Sequence, residues 1–120
     1  MITLATLAAA TAQEVFTQGK EHLLQQNARS TKFSEFHGED VCVFRGDNGL
    51  QCVGGCFMTD EQAARVGEGD RWHALPAKGV GVPHEHAELI DMMQLLHDLI
   101  MPWQWPEELR KLAQQRGLIY

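Results

Sequence analysis

Between His84 and Met101 the chain sets Leu89, Met92, Met93, Leu96, Leu99 and Ile100 around much of a helical circumference. A helix apolar on so many sides must be wrapped by other elements, so this segment is expected to be the central buried helix of the fold. Two further segments carry helix signals that can supply the wrapping. Thr11-Ala-Gln-Glu14 reads as a capping box, and Ala12, Val15, Phe16, Gly19 and Leu23 then recur at helical spacing to about Asn27. Pro106 at a first helical position, with Glu107 and Glu108 in the first turn, opens a last helix whose Leu109, Leu112 and Ala113 face inward. Gly117-Leu118 has the form of a Schellman-type end.

The middle of the chain reads differently. Val41–Arg45 and Leu50–Val53 are short β-prone runs, and Gly46-Asp-Asn-Gly49 between them supplies residues that tolerate positive φ, which predicts a β-hairpin. Ser30–Asp40 shows no sustained period and reads as a connecting loop anchored by Phe33 and Phe36. Gly54-Gly55 marks a bulge or a close approach of another backbone or a ligand. Thr59-Asp-Glu-Gln62 fits a second capping box, opening a short helix that Gly67 or Gly69 ends. Asp70–Pro83, with Pro76, Gly79 and Gly81, reads as an extended, mobile connection around Trp72 and Leu75. The expected class is α+β, a single compact domain over 1–120. A small antiparallel hairpin or sheet at about 41–58 packs against the N-terminal helix and two C-terminal helices.

Charge and cysteine count narrow the function classes. A formal charge of −6, with the basic residues scattered, argues against direct nucleic-acid binding, which needs clustered Lys and Arg to displace counterions. Arg110, Lys111 and Arg116 fit the end of a helix, where cations complement the dipole. No run of about 18 apolar residues is present, so no transmembrane helix is expected. No Lys or Arg precedes Lys20, which speaks against a secretory signal over Met1–Gln13. Cys42, Cys52 and Cys56 cannot pair completely within one chain, so reduced thiols in a cytoplasm are expected.

Those thiols are also the first candidate for chemistry. Cys52-x₃-Cys56 is half a zinc site to which Cys42 adds one ligand, leaving the fourth to His37, His73, His84 or His86. Against this stands cysteine as a small buried hydrophobe, and no metal or other cofactor is assigned. A nucleophilic thiol needs a neighbouring base that spacing alone does not place. His84 and Glu88 would share a helix face that Asp91 extends, while His97-Asp98 reads as a packing or capping pair near a helix end. Trp103 and Trp105, between Pro102 and Pro106, are either a partner-binding anchor or core. Arg45, Gly54 and Gly55, with Asp47 and Asn48 in the intervening turn, are the candidate small-molecule contacts.

Three stretches share a pattern with one known group. They are Thr11-Ala-Gln-Glu-Val-Phe16 with Leu24; Cys42-Val-Phe-Arg-Gly46…Gly49-Leu-Gln-Cys52…Gly55-Cys56; and Met93-Gln-Leu-Leu-His-Asp98…Trp105…Leu109…Leu112-Ala113…Gly117-Leu118. In these the chain resembles a family of small, largely uncharacterised proteins of phages, prophages and their bacterial hosts, and departs from it between Gly67 and Pro83. The resemblance implies a phage-linked accessory protein in the host cytoplasm; an acidic domain without an evident catalytic motif suits an anti-defence role by binding and inhibiting a host protein, the leading reading. Two alternatives stay open: a small-molecule, nucleotide-like sequestering protein, and an enzyme using a thiol or a His/carboxylate site. Monomer and homodimer are both compatible with the sequence.

Overall fold

The apolar segment after His84 forms a helix, Ala87–Leu99, that buries Leu89, Ile90, Met93, Leu96 and His97. In the computed structural model, which describes all residues from Met1 to Tyr120, it is the third α-helix in chain order (α3). The order is α1 (Ala12–Gln26), β1 (Thr31–Ser34), β2 (Glu39–Cys42), α2 (Asp60–Ala63), α3 and α4 (Trp105–Gln115), with short 3₁₀ turns between. The fold is α+β: a two-stranded antiparallel sheet beside helices that share one core.

The end signals read from sequence are the ones that act. Thr11 and Glu14 satisfy each other's backbone amides at the start of α1, and Thr59 and Gln62 do the same for α2. After α4, Leu118 N–H reaches the Ala113 carbonyl at 2.8 Å and Gly117 takes φ 67°, the Schellman geometry. Val15, Phe16 and Leu23 of α1 and Trp105, Leu109 and Leu112 of α4 close around α3, and Leu4 and Leu7 of the first turns join the same core. At Gly19 a Cβ would stand 2.5 Å from the Met93 methyl, so the absent side chain is what lets α1 lie close on α3.

The hairpin lies earlier than the sequence suggests. β1 pairs with β2 in the register Thr31↔Cys42, Lys32↔Val41, Phe33↔Asp40 and Ser34↔Glu39, so the segment read as a connecting loop is strand and turn. Phe33 and Phe36 are exposed, so neither strand shows the apolar alternation of a half-buried strand, and the period that betrays a strand is missing. Only Gly38, at φ 70°, marked the turn.

The expected partner of Val41–Arg45, Leu50–Val53, contributes a single bridge, Arg45↔Gln51, in place of a strand. Leu50 and Cys52 still bond back to Gly46 and Phe44, while the Gln51 backbone faces α1. The Gln51 carbonyl accepts from His22 Nε2 at 2.8 Å and Gln26 Nε2 at 2.8 Å, and Gln51 N–H donates to Gln26 Oε1 at 2.9 Å. Gly54–Phe57 then winds into a 3₁₀ turn, so the glycine pair is not a strand bulge. The close approach it promised is real, and the approaching group is Phe44: a Cβ on Gly54 would strike the Phe44 ring, and one on Gly55 would strike the Phe44 carbonyl. The connection after Asp70 is likewise no bare linker, since the 3₁₀ stretch Trp72–Lys78 buries Trp72 and Leu75 in the core.

Backbone cannot yield as a flexible side chain does, so Gly55→Ala is expected to cost about 3 kcal/mol, the upper range of overpacking penalties. Urea unfolding of that variant beside Gly81→Ala, at a position with nothing near a Cβ and no positive φ, checks this.

Candidate functional site

Polar residues on the central helix define the site. Asp91, Gln94, Leu95 and Asp98 follow at helical spacing and form one wall of a cavity of about 310 Å³. The end of β2 gives the floor with Cys42, Val43 and Phe44, and the segment 67–73 gives the opposite wall with Trp72.

At its inner end the groups are joined. Asp98 Oδ1 accepts from His97 Nδ1 at 2.7 Å and from Gln94 Nε2 at 2.8 Å, and Gln94 Oε1 accepts from Gly54 N–H at 3.1 Å. The Cys42 thiol lies beside the Asp98 carboxylate, their ligand atoms within 4.8 Å. His97 is wholly buried, stacked on Trp105 with ring centroids 5.7 Å apart, and its Nε2 accepts from Ser30 N–H at 3.0 Å. A buried imidazole needs both nitrogens satisfied, and here each has a partner. The sheet makes this possible: Thr31 pairs with Cys42, which carries Ser30 and the thiol to α3 together.

This arrangement decides between three chemistries. Cys42, His97 and Asp98 place their ligand atoms within 4.8 Å of one another, the spacing a metal site would have. Yet Nε2 accepts a backbone hydrogen bond, so the proton sits on Nδ1, the nitrogen turned to Asp98, where it would have to be lost before a cation could bind. The same tautomer denies Cys42 a base, because neither imidazole nitrogen is free to take its proton. The cluster is a hydrogen-bond network that fixes α3 against the sheet.

The thiols agree with that reading. Burial pushes Cys42 up to about 11, and the Asp98 charge acts in the same direction. Burial pushes Cys56 up to about 12 and Cys52 higher still. None is an activated thiolate. Cys52 Sγ instead accepts from Gly55 N–H at 3.3 Å, and the three sulfurs do not gather with a histidine as a four-ligand zinc site requires.

The other sequence candidates separate. Arg45 is a clamp: its guanidinium pairs with Asp60 and donates to the Met58 carbonyl at 2.7 Å, leaving little with which to hold an anionic ligand. Asp47 and Asn48 stand exposed on their turn, away from the cavity wall, while Gly54 and Gly55 are buried under Phe44. α3 begins at Ala87, so His84 lies outside the helix and shares no face with Glu88, which pairs with Arg116 at 3.0 Å. Trp105 is core, its indole N–H given to the Ile100 carbonyl at 3.0 Å, because the first residue of α4 packs on His97. Trp103 is 75% exposed. Sequence reading missed Gln94 and Trp72 as site residues; the available signal was the polar series Asp91, Gln94, Asp98 on an otherwise apolar helix.

A second feature lies on the outer side of α3. Leu95, 47% exposed, and Leu99, 71% exposed, line an open groove between α3 and α4, with Glu108 and Lys111 on its rim. Met101 and Trp103 are exposed just beyond the end of α3.

Comparison with known protein families, curated proteins and solved structures gives no match. The resemblance to small phage and prophage proteins therefore stands on the sequence pattern alone.

Raised thiol values have two measurable results. A thiol moved from 9.0 to about 11 holds roughly a hundredfold less thiolate at mildly alkaline pH, so Cys42 in the folded protein is expected to react with iodoacetamide about that much more slowly than after unfolding in urea. The native state also binds these protons more tightly than the unfolded chain. Stability is fully present below the unfolded thiol value of 9.0 and is lost as pH rises from there through about 11. Denaturation curves across that window should show the midpoint falling, and Cys42→Ala should lessen the fall.

Proposed function

We propose that this chain acts by binding a partner protein through the apolar surface formed by Leu95 and Leu99 on α3 and by Met101 and Trp103 beyond it. The observation that carries the reading is the exposure of Leu99 and Trp103, at 71% and 75%, on a domain whose other two tryptophans are buried. Exposed large apolar side chains that gather on one face mark interaction sites, and tryptophan is among the residues that most often dominate binding energy. The charged rim at Glu108 and Lys111 gives the groove the apolar centre and polar edge of an interface.

This is the mode of action expected of a phage-linked accessory factor that binds and inhibits a host protein. The thiol-enzyme alternative is the weakest of the three, since a nucleophile needs an activated thiolate and a free base, and Cys42 is held as a thiol beside a histidine already committed on both nitrogens.

The test is affinity capture from a bacterial lysate with three immobilised forms: the wild-type chain, Leu99→Asp and Trp103→Ala. A protein retained by the wild-type chain should be lost at least about tenfold with either variant, the size expected when an anchor residue is removed. Circular dichroism should be unchanged, because both side chains face solvent. Equal retention by all three forms would sink the reading.

A further inference from the structure

Of the three exposed aromatic side chains, Trp103 belongs to the partner-binding face; the other two, Phe33 at 57% and Phe36 at 87% exposure, lie on the β1–β2 hairpin. The turn that carries Phe36 is held in place from within. The hydroxyl of buried Ser34 accepts from His37 N–H at 3.1 Å and donates to Glu68 Oε1 at 2.7 Å, and the Ser34 carbonyl accepts from Gly38 N–H at 2.8 Å. A surface fixed in this way loses little conformational freedom when a partner docks on it.

The neighbours of these rings are carboxylates. Phe33 stands opposite Asp40 in the strand register, which sets the two side chains on one face of the sheet. Glu35 precedes Phe36 in the turn, and Glu39 opens β2. All three acids are exposed and enter none of the molecule's ion pairs, and Lys32 is the one lysine or arginine between Thr31 and Cys42. The hairpin therefore repels nucleic acid and anionic lipid and attracts basic groups. An exposed ring beside a free carboxylate favours one cation above the other. A planar guanidinium stacks on the ring while it pairs with the carboxylate, whereas an ammonium is a compact, strongly hydrated charge.

We propose that the β1–β2 hairpin docks an arginine-bearing segment of a partner protein, its guanidinium groups stacking on Phe33 and Phe36 and pairing with Glu35, Glu39 and Asp40. The hairpin shares no residue with the face at Leu95, Leu99, Met101 and Trp103, so either surface can fail without the other.

The experiment follows backbone amide resonances of the ¹⁵N-labelled full chain at low salt. Three probes are titrated: acetyl-Arg-Leu-Arg-Leu-Arg-amide and its counterparts with lysine or glutamate in place of arginine. The amides of residues 33–40 should move and saturate in the millimolar range with the arginine peptide. The lysine peptide should bind at least about threefold more weakly and the glutamate peptide should move nothing. Phe36→Ser, and separately Glu35→Gln with Glu39→Gln, should each weaken the arginine peptide by at least about threefold, the size of one exposed stack or ion pair, with the α3 amides reporting an intact fold. Unmoved amides at 33–40, shifts confined to residues 95–103, equal affinity for the lysine peptide or full affinity in Phe36→Ser overturns the proposal. Shifts at 33–40 on concentrating the protein alone would assign the hairpin to a second copy, and shifts there with phosphatidylcholine vesicles but not with the peptide would assign it to a membrane; either result overturns it as well.

Discussion

The buried imidazole of His97 is the joint on which the rest of the molecule depends. It receives a hydrogen bond from Ser30 ahead of the sheet, gives one to Asp98 on its own helix, and stacks on the first residue of α4. Three parts of the chain that are remote in sequence are thus referred to one ring. Removing one partner of such a buried set leaves the other unsatisfied, which is costlier than the bonds themselves are worth. The geometry is consequently all or nothing, and it gives a sheet of two short strands a fixed position that its own hydrogen bonds could not enforce.

The same network explains why a cluster with the composition of a catalytic or metal centre does neither job. Cysteine, histidine and aspartate are together, but both imidazole nitrogens and Asp98 Oδ1 are spent inward. Solvent contact is left to residues the network does not use, Leu99 and Trp103 among them, both largely exposed. A single helix separates a polar cavity from an apolar groove because its polar residues recur at helical spacing on one face and its exposed leucines on another.

What the sequence disclosed follows from where the governing interactions are local. The ends of α1, α2 and α4 were readable because capping boxes and the Gly117 end are contacts within a few residues. The inward faces of the helices were readable from period. The hairpin was misplaced because the true strands expose Phe33 and so lack alternation, while Leu50–Val53 keeps only the bridge at Gln51, whose own backbone groups are held by His22 and Gln26 of α1. Arg45 drew attention as a basic residue beside glycines, yet nothing near it in sequence shows that Asp60 and the Met58 carbonyl hold it. The cavity was invisible for a similar reason, since its walls come from segments about twenty residues apart or more.

The hub has a consequence for how such a sequence can drift through generations. Ser30 serves His97 with a main-chain N–H, so for this bond position 30 tolerates any residue except proline, which lacks that hydrogen. Gln94 and His97 both serve Asp98 with side chains, and a change at Asp98 strands the other two. Their permissible substitutions are therefore contingent on each other, and divergent copies of this chain would be recognised by joint replacement at those three positions.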